Sequence, residues 1–268
     1  MKTLRTVILV IAAVSAAASA WAVPLAVEFV SGKVMAMTGG SWVDVDIGDK
    51  LDSTQTIRLD KGAVLELTGP NNTRIALCAA GVFLLDSYLA PKPATGPAAT
   101  AAAKLAKLAR NQAQETTVGG IRGAGIEPAS EEDMMWASSG PDAGAVMVSA
   151  AEAHDAGDYL GAWSLFMEAA GIYTEECDPN SAALAAWYAS RSGLAAESPA
   201  RALASLRTAV PEDAGALRGG YTLALAALDA RYGSPADAKA LLERALGGNW
   251  FDDPAMVADA KELLASLR

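Results

Sequence analysis

Between residues 27 and 86 the chain is written in short alternating runs. Residues 28–30, 33–37, 42–46, 56–59, 63–67, 74–77 and 82–85 each carry apolar side chains at a period near two, the pattern of half-buried β-strands. Ser31-Gly32, Gly39-Gly40, Asp60-Lys61-Gly62, Gly69-Pro70-Asn71-Asn72 and Gly81 supply turn chemistry between them. Runs this short with reversals this frequent predict a small antiparallel β-sandwich or roll.

From Asp142 onward the period lengthens to that of helices. Ala162, Phe166 and Ala169 share a register with Ala202, Leu206 and Ala209, and again with Ala238, Leu242 and Ala245, at spacings of 40 and 36 residues. An internal repeat of that length predicts helix pairs that stack on their neighbours. Gly157 permits the turn inside the first pair, Tyr159 plugs it, and Ala162 is small enough to let the two helices approach. Phe166 and Ala169 then face one core stripe. Pro199 and Pro235 stand where Tyr159 does, at positions suited to a first helical turn. Gly233 keeps the glycine of the turn and the second repeat does not. Asp253-Pro254 starts a last helix over 255–267, which caps the array. The fold class expected is multidomain β plus α, with an N-terminal β-sandwich or roll and a C-terminal helical solenoid over 142–268. Between them, 90–97 reads as a stiff Pro/Ala linker. A helical stretch over 98–114 follows, with Lys104, Lys107 and Arg110 on a solvated face, and the boundary falls near 128–142.

Particular residues add a resemblance. Gly32-Lys33-Val34, Trp42, Ile47-Gly48-Asp49-Lys50-Leu51, Thr56-Ile57, Ala63-Val64-Leu65-Glu66-Leu67 and Gly81-Val82-Phe83 follow one another as in the periplasmic FecR-type domain. Val118-Gly119-Gly120-Ile121-Arg122-Gly123 is similar to the Val-Arg-Gly stretch that closes that domain, with Ala124 where the family has Thr. The likeness covers residues 27–125. The stretch from Gly157 to Ala169 resembles a tetratricopeptide repeat (TPR). The founding FecR-type members signal to a sigma factor through a cytoplasmic N-terminal segment. With only a short stretch ahead of the apolar run here, the resemblance implies an envelope interaction module instead.

That apolar run, from Val7 to Ala18, follows Lys2 and Arg5 and ends in small residues, as a secretory signal over 1–20 does. Export to the periplasm or cell envelope is therefore expected, with membrane contact only if the segment is left uncleaved. Removing it takes two of 21 basic residues and leaves 19 against 31 acidic ones, a formal charge of −12 that repels nucleic acid and anionic lipid. Asp44 and Asp46 would share a strand face, but without the ligand ladder of a calcium loop they read as solvated acids. Cys78 and Cys177, the only cysteines, fall in different halves. They could bridge the two in an oxidising compartment, or stay as thiols, and neither has the spacing of a zinc site.

One histidine, no Ser/His/Asp order, no phosphate loop and no metal spacing leave no catalytic residue, cofactor or metal to nominate, so a non-enzymatic protein is expected. The register of the first helices puts Met147, Ala151, His154, Leu184, Trp187, Arg191, Leu194, Leu223, Ala227 and Ala230 along one face. Met147, His154, Trp187, Arg191, Leu194 and Leu223 are the candidate groove for an envelope protein or peptide segment, with Arg191 as an orienting charge and His154 structural. The competing arrangement packs these side chains against the β-domain or a flanking helix. A cell-wall glycan bound by the β-domain is the alternative function. It calls for an exposed aromatic on the sheet, and Trp42, the one candidate, reads first as a core residue.

Overall fold

The computed structural model describes residues 22–89 and 142–267. The signal segment, the linker at 90–97, the helical stretch at 98–114 and the closing segment at 118–123 lie outside the described residues. The N-terminal part is two four-stranded antiparallel sheets. The first has the order β4-β1-β6-β7, from β1 (Pro24–Ser31), β4 (Lys50–Asp52), β6 (Val64–Thr68) and β7 (Arg74–Leu77). The second has the order β3-β2-β5-β8, from β2 (Val34–Thr38), β3 (Ser41–Asp44), β5 (Thr56–Leu59) and β8 (Gly81–Leu84). A one-turn helix α1 (Asp86–Leu89) follows. Seven runs were expected and eight strands form. The extra one, β4, is a three-residue edge strand with Leu51 as its only apolar side chain, too short to show a period. β3 ends at Asp44, and Asp46 instead enters a turn in which its N–H donates to the Asp49 carboxylate at 2.8 Å, so Asp44 and Asp46 do not share a strand face.

Between the sheets lies a core of Leu25, Val27, Leu51, Leu65, Leu67, Ile75 and Leu77 from the first and Val34, Ala36, Ile57 and Leu59 from the second. β1 does not keep one alternation. Val27 pairs with Leu67 and Phe29 with Glu66, which leaves Glu28 as an extra, bulged residue. Val30 therefore points into the sandwich and Phe29 to the opposite face of the sheet. On that face Phe29, Val64 and Cys78 join a second core shared with the helices. β6 is consequently buried on both sides.

The C-terminal part is seven packed helices: α2 (Ala143–Asp155), α3 (Tyr159–Glu175), α4 (Pro179–Ala195), α5 (Pro199–Leu206), α6 (Arg218–Tyr232), α7 (Pro235–Gly247) and α8 (Pro254–Ser266). A 3₁₀ turn at Pro211–Leu217 separates α5 from α6. Ala162, Ala202 and Ala238 are fully buried where the helices of each pair meet, as the repeat register requires. Asp142, Asp158, Asp178, Ser198, Ser234 and Asp253 each cap a helix by accepting a backbone N–H, and the prolines after four of them occupy the first turn.

One turn recurs with different residues in its left-handed position: Gly157, Cys177, Glu197 and Asn249, with φ of 85°, 61°, 57° and 52°. In each, the next N–H reaches back to a carbonyl five residues earlier, as Asp158 does to Ala153 and Ser198 to Gly193. Gly233 is not part of this series. Its φ is −111°, and a Cβ there would lie 2.4 Å from Asp229 Oδ1 and 2.7 Å from Arg207 Nη2. It is glycine because an ion pair occupies the space of a side chain.

The two parts meet along α5, with Trp163 of α3 and the last turn of α6 beside it. Glu66, 1% exposed, accepts the Ser198 hydroxyl and lies 3.6 Å from Arg201 and 3.5 Å from Arg74. Arg201 donates to the Glu28 carbonyl at 3.0 Å and spreads over the rings of Phe29 and Trp163, which meet edge to face at 5.3 Å. Arg74 donates to the Ala196 and Glu197 carbonyls at the end of α4. Arg207, paired with Asp229, also donates to the Cys78 carbonyl at 3.1 Å. The result is three layers, sheet on sheet on helices. Cys78 and Cys177 are unpaired. Cys78 is buried in this seam, where loss of solvent pushes its thiol up to about 12, and Cys177 is exposed.

Candidate functional site

The seam decides which helix faces the described sheet covers. The docked sheet covers α5 and part of α3, the second helices of their pairs, whereas the candidate groove residues lie on α2, α4 and α6. Three of the wider set are inside the helical core. Met147, 4% exposed, and Ala151 pack with Phe166, Ala185 and Ala189, and Ala227 is buried among α6 and α7 residues. They support the face and are not presented by it. Trp187, Leu194, Leu223 and Ala230 are half-buried against the same core, with the Trp187 ring centred 6.2 Å from that of Tyr221. Leu184 is half-exposed.

His154 and Arg191 come together. His154 Nδ1 lies 2.9 Å from Ser192 Oγ, and its ring stands edge-on to Tyr159 at 5.1 Å. Since Ser192 gives its own hydrogen to the Tyr188 carbonyl, Nδ1 is the donor in the neutral imidazole and Nε2 keeps an acceptor lone pair. Nε2 is buried with no partner. Burial first, and then the Arg191 charge, hold the His154 pKa below its ordinary value, against the pull of Asp155. Arg191 is 9% exposed, rests over the Tyr188 ring at 5.6 Å, and has a buried Nε with no partner. Arg58, Arg74, Arg201, Arg207 and Arg244 each have a carboxylate within 4 Å, on Asp60, Glu66, Glu66, Asp229 and Glu212. Arg191 has none among the described residues, and burial lowers its pKa. The Arg191 Nε and His154 Nε2 are thus the two unsatisfied buried polar atoms of this corner of the face, one a donor and the other an acceptor.

Of two further surfaces, the sequence named one only through Trp42, as the aromatic that a glycan-binding sheet would need, and did not show the other. Trp42 is in none of the cores. It stands on the outer face of the second sheet, paired across the ladder with Met37, with the Arg58 guanidinium 5.4 Å from its ring. Val82 at 61% exposure and Leu84 at 50% continue that face. The expectation of a core tryptophan fails because the register sets Val43, opposite the core residue Ala36, on the inner face and Trp42, opposite Met37, on the outer one. The other surface is an open cleft of about 740 Å³ at the seam, between β7, Phe83 and Tyr88 on one side and Ala230–Pro235 on the other.

Among the described residues there is no cluster of three or more metal-ligating side chains, and no helix long and apolar enough to cross a membrane. No protein family, characterised protein or solved structure matches the chain.

Proposed function

We propose that the protein is a non-enzymatic scaffold of the periplasm or cell envelope, a FecR-type β-domain joined to TPR-like helix pairs, which holds a segment of another envelope protein on the face of α2, α4 and α6. The observation that carries this reading is the seam. The described part of the β-domain packs on α5 and Trp163 and not on the opposite helix face, which carries half-buried apolar anchors at Trp187, Leu194 and Leu223 and Arg191 with no counter-ion among the described residues. A segment that brings an acceptor to Arg191 and an apolar side chain to Leu223 fits this chemistry.

The outer sheet supports a second reading, a glycan-binding β-domain. A tryptophan on an outer sheet face, braced by an arginine, suits stacking on a sugar ring, and the half-buried Trp42 with Arg58 has that arrangement. One experiment separates the two. A photo-crosslinking amino acid is placed at Leu184 in one full-length variant and at Val82 in another, each expressed in cells. A discrete protein adduct at Leu184 alone is the expected result. Cell-wall fragments at Val82, with no protein at Leu184, overturn the scaffold.

A further inference from the structure

The cleft at the seam has a property that its lining residues do not announce individually: one of its walls is a sheet edge that is unpaired among the described residues. β7 is the last strand of the order β4-β1-β6-β7 and among the described residues pairs only with β6, in the register Leu65 with Leu77, Glu66 with Ala76, Leu67 with Ile75 and Thr68 with Arg74. The N–H of Gly69 donates to the Thr73 carbonyl, which fixes the alternation of the antiparallel ladder. Thr73, Ile75 and Leu77 direct their main-chain groups to β6, and Arg74, Ala76 and Cys78 direct theirs away from it. The Cys78 carbonyl confirms the phase, because it is taken by Arg207 from outside the sheet. The main-chain N–H and C=O of Ala76 have no partner among the described residues, although Ala76 is half-buried and lines the cleft.

An exposed edge is ordinarily blunted by charge, proline or cover. Here it is recessed instead. The opposite wall is the end of α6 and the start of α7, from Ala230 to Pro235, at a volume of about 740 Å³. The lining has Phe83, Tyr88, Leu89 and Tyr232 for apolar contact, two arginines, and no aspartate, glutamate or histidine. Arg74 shares its charge with Glu66. Arg231 stacks on Tyr232 at 5.2 Å and has no carboxylate within reach among the described residues.

We infer that this cleft binds an extended peptide carrying an acidic side chain, which adds as a strand to the free edge of β7 at Ala76 and sets its carboxylate on Arg231. Main-chain bonds to Ala76 supply the affinity that any sequence would share, and Arg231 selects for the acid. The site lies at the seam, shares only the end of α6 at Ala230 with the α2, α4 and α6 face, and stands whether or not that face binds a protein.

The test uses the full mature chain and two probes, acetyl-Val-Thr-Glu-Val-Thr-amide and the same peptide with Lys in place of Glu. Binding is read by fluorescence anisotropy, and protection of the Ala76 amide by hydrogen exchange. The acidic peptide is expected to bind at least tenfold more tightly than the basic one and to slow exchange at Ala76. Ala76→Pro removes an N–H that the β6 ladder does not use, a substitution an edge strand tolerates, and is expected to abolish binding of both. Arg231→Glu alters only a partly exposed side chain and is expected to reverse the preference between the peptides. Binding of neither peptide at millimolar concentration overturns the inference, as does an Ala76 amide already protected without peptide, which would mean that the chain fills its own cleft. Affinities unmoved by Arg231→Glu overturn it as well.

Discussion

The strongest single test of the three-layer arrangement is Glu66→Gln. The carboxylate is sealed between sheet and helices, so the substitution keeps its shape and removes its charge. The Ser198 hydroxyl bond, made to an ion, is worth about 1.5–3 kcal/mol. Removing one member of a buried ion pair costs about 3–5 kcal/mol when the survivor is stranded. Arg201 is not wholly stranded: its side chain is 15% exposed, and it keeps the Glu28 carbonyl and two ring faces. Arg74 contributes little, being 45% exposed. Together these place the loss at about 2–3 kcal/mol, read as a fall in the urea midpoint at unchanged slope. A double-mutant cycle with Arg201→Gln should give a coupling of about 1–2 kcal/mol, and one with Arg74→Gln under about 0.5 kcal/mol. A loss below about 1 kcal/mol, or stronger coupling at Arg74, would refute the assignment of Glu66 as the polar centre of the seam.

The recurring turn gives a pair of opposite effects. Gly157→Ala should destabilise by about 1 kcal/mol, and Cys177→Gly, which relieves a left-handed non-glycine residue, should stabilise by up to about 1 kcal/mol, both by urea unfolding. At neutral pH a thiol reagent should label Cys177 rapidly and Cys78 only as fast as the seam opens, so equal rates at both would contradict the burial that pushes Cys78 up. His154 is held neutral by burial beside Arg191, with Asp155 opposing, so its folded pKa lies below the ordinary 6.5. Its stabilising contribution is full above that value and is lost as pH falls through it towards the folded pKa. Between pH 6.5 and 5 the wild type should lose more stability than His154→Gln, and parallel curves would show that His154 is not desolvated.

Except that α5 stops at Leu206 and leaves Ala209 outside it, the alternating runs and the Ala-x3-Phe/Leu-x2-Ala register were enough to place the strands and stacked helix pairs, because both rest on burial of one face, which writes its period into the sequence. The seam was not legible, because it depends on the second face of a strand. Val64-Leu65-Glu66-Leu67 holds a lone acid in an apolar run, and that was the available signal: an acid buried there must meet a cation from elsewhere, but nothing local says that the cation is Arg201. Gly233 was read through backbone freedom when the reason is the volume of Arg207 and Asp229, a contact between residues 22 apart in sequence. Of the candidate groove, the register placed every residue on α2, α4 or α6, yet it did not separate those that support the face, Met147 among them, from those that line it. A helical period gives direction from the axis and not depth.

The bulge at Glu28 has a consequence for how the joint between the two halves is inherited. Side-chain direction along a strand is a parity. In β1 the odd positions Leu25 and Val27 serve the sandwich, and after one extra residue the even position Val30 does, while Phe29 goes over to the helices. No particular side chain at 28 is needed for this switch, since Glu28 offers the seam only its carbonyl. What must be kept is the bulge. Were Glu28 paired in regular alternation, Phe29 would turn into the sandwich and Val30 towards Trp163, whereas deleting Glu28 leaves Phe29 opposite Glu66 and Val30 opposite Leu65, so the attachment of one half to the other rests on an irregularity of the main chain and would pass unnoticed in any comparison that scores residue identity alone.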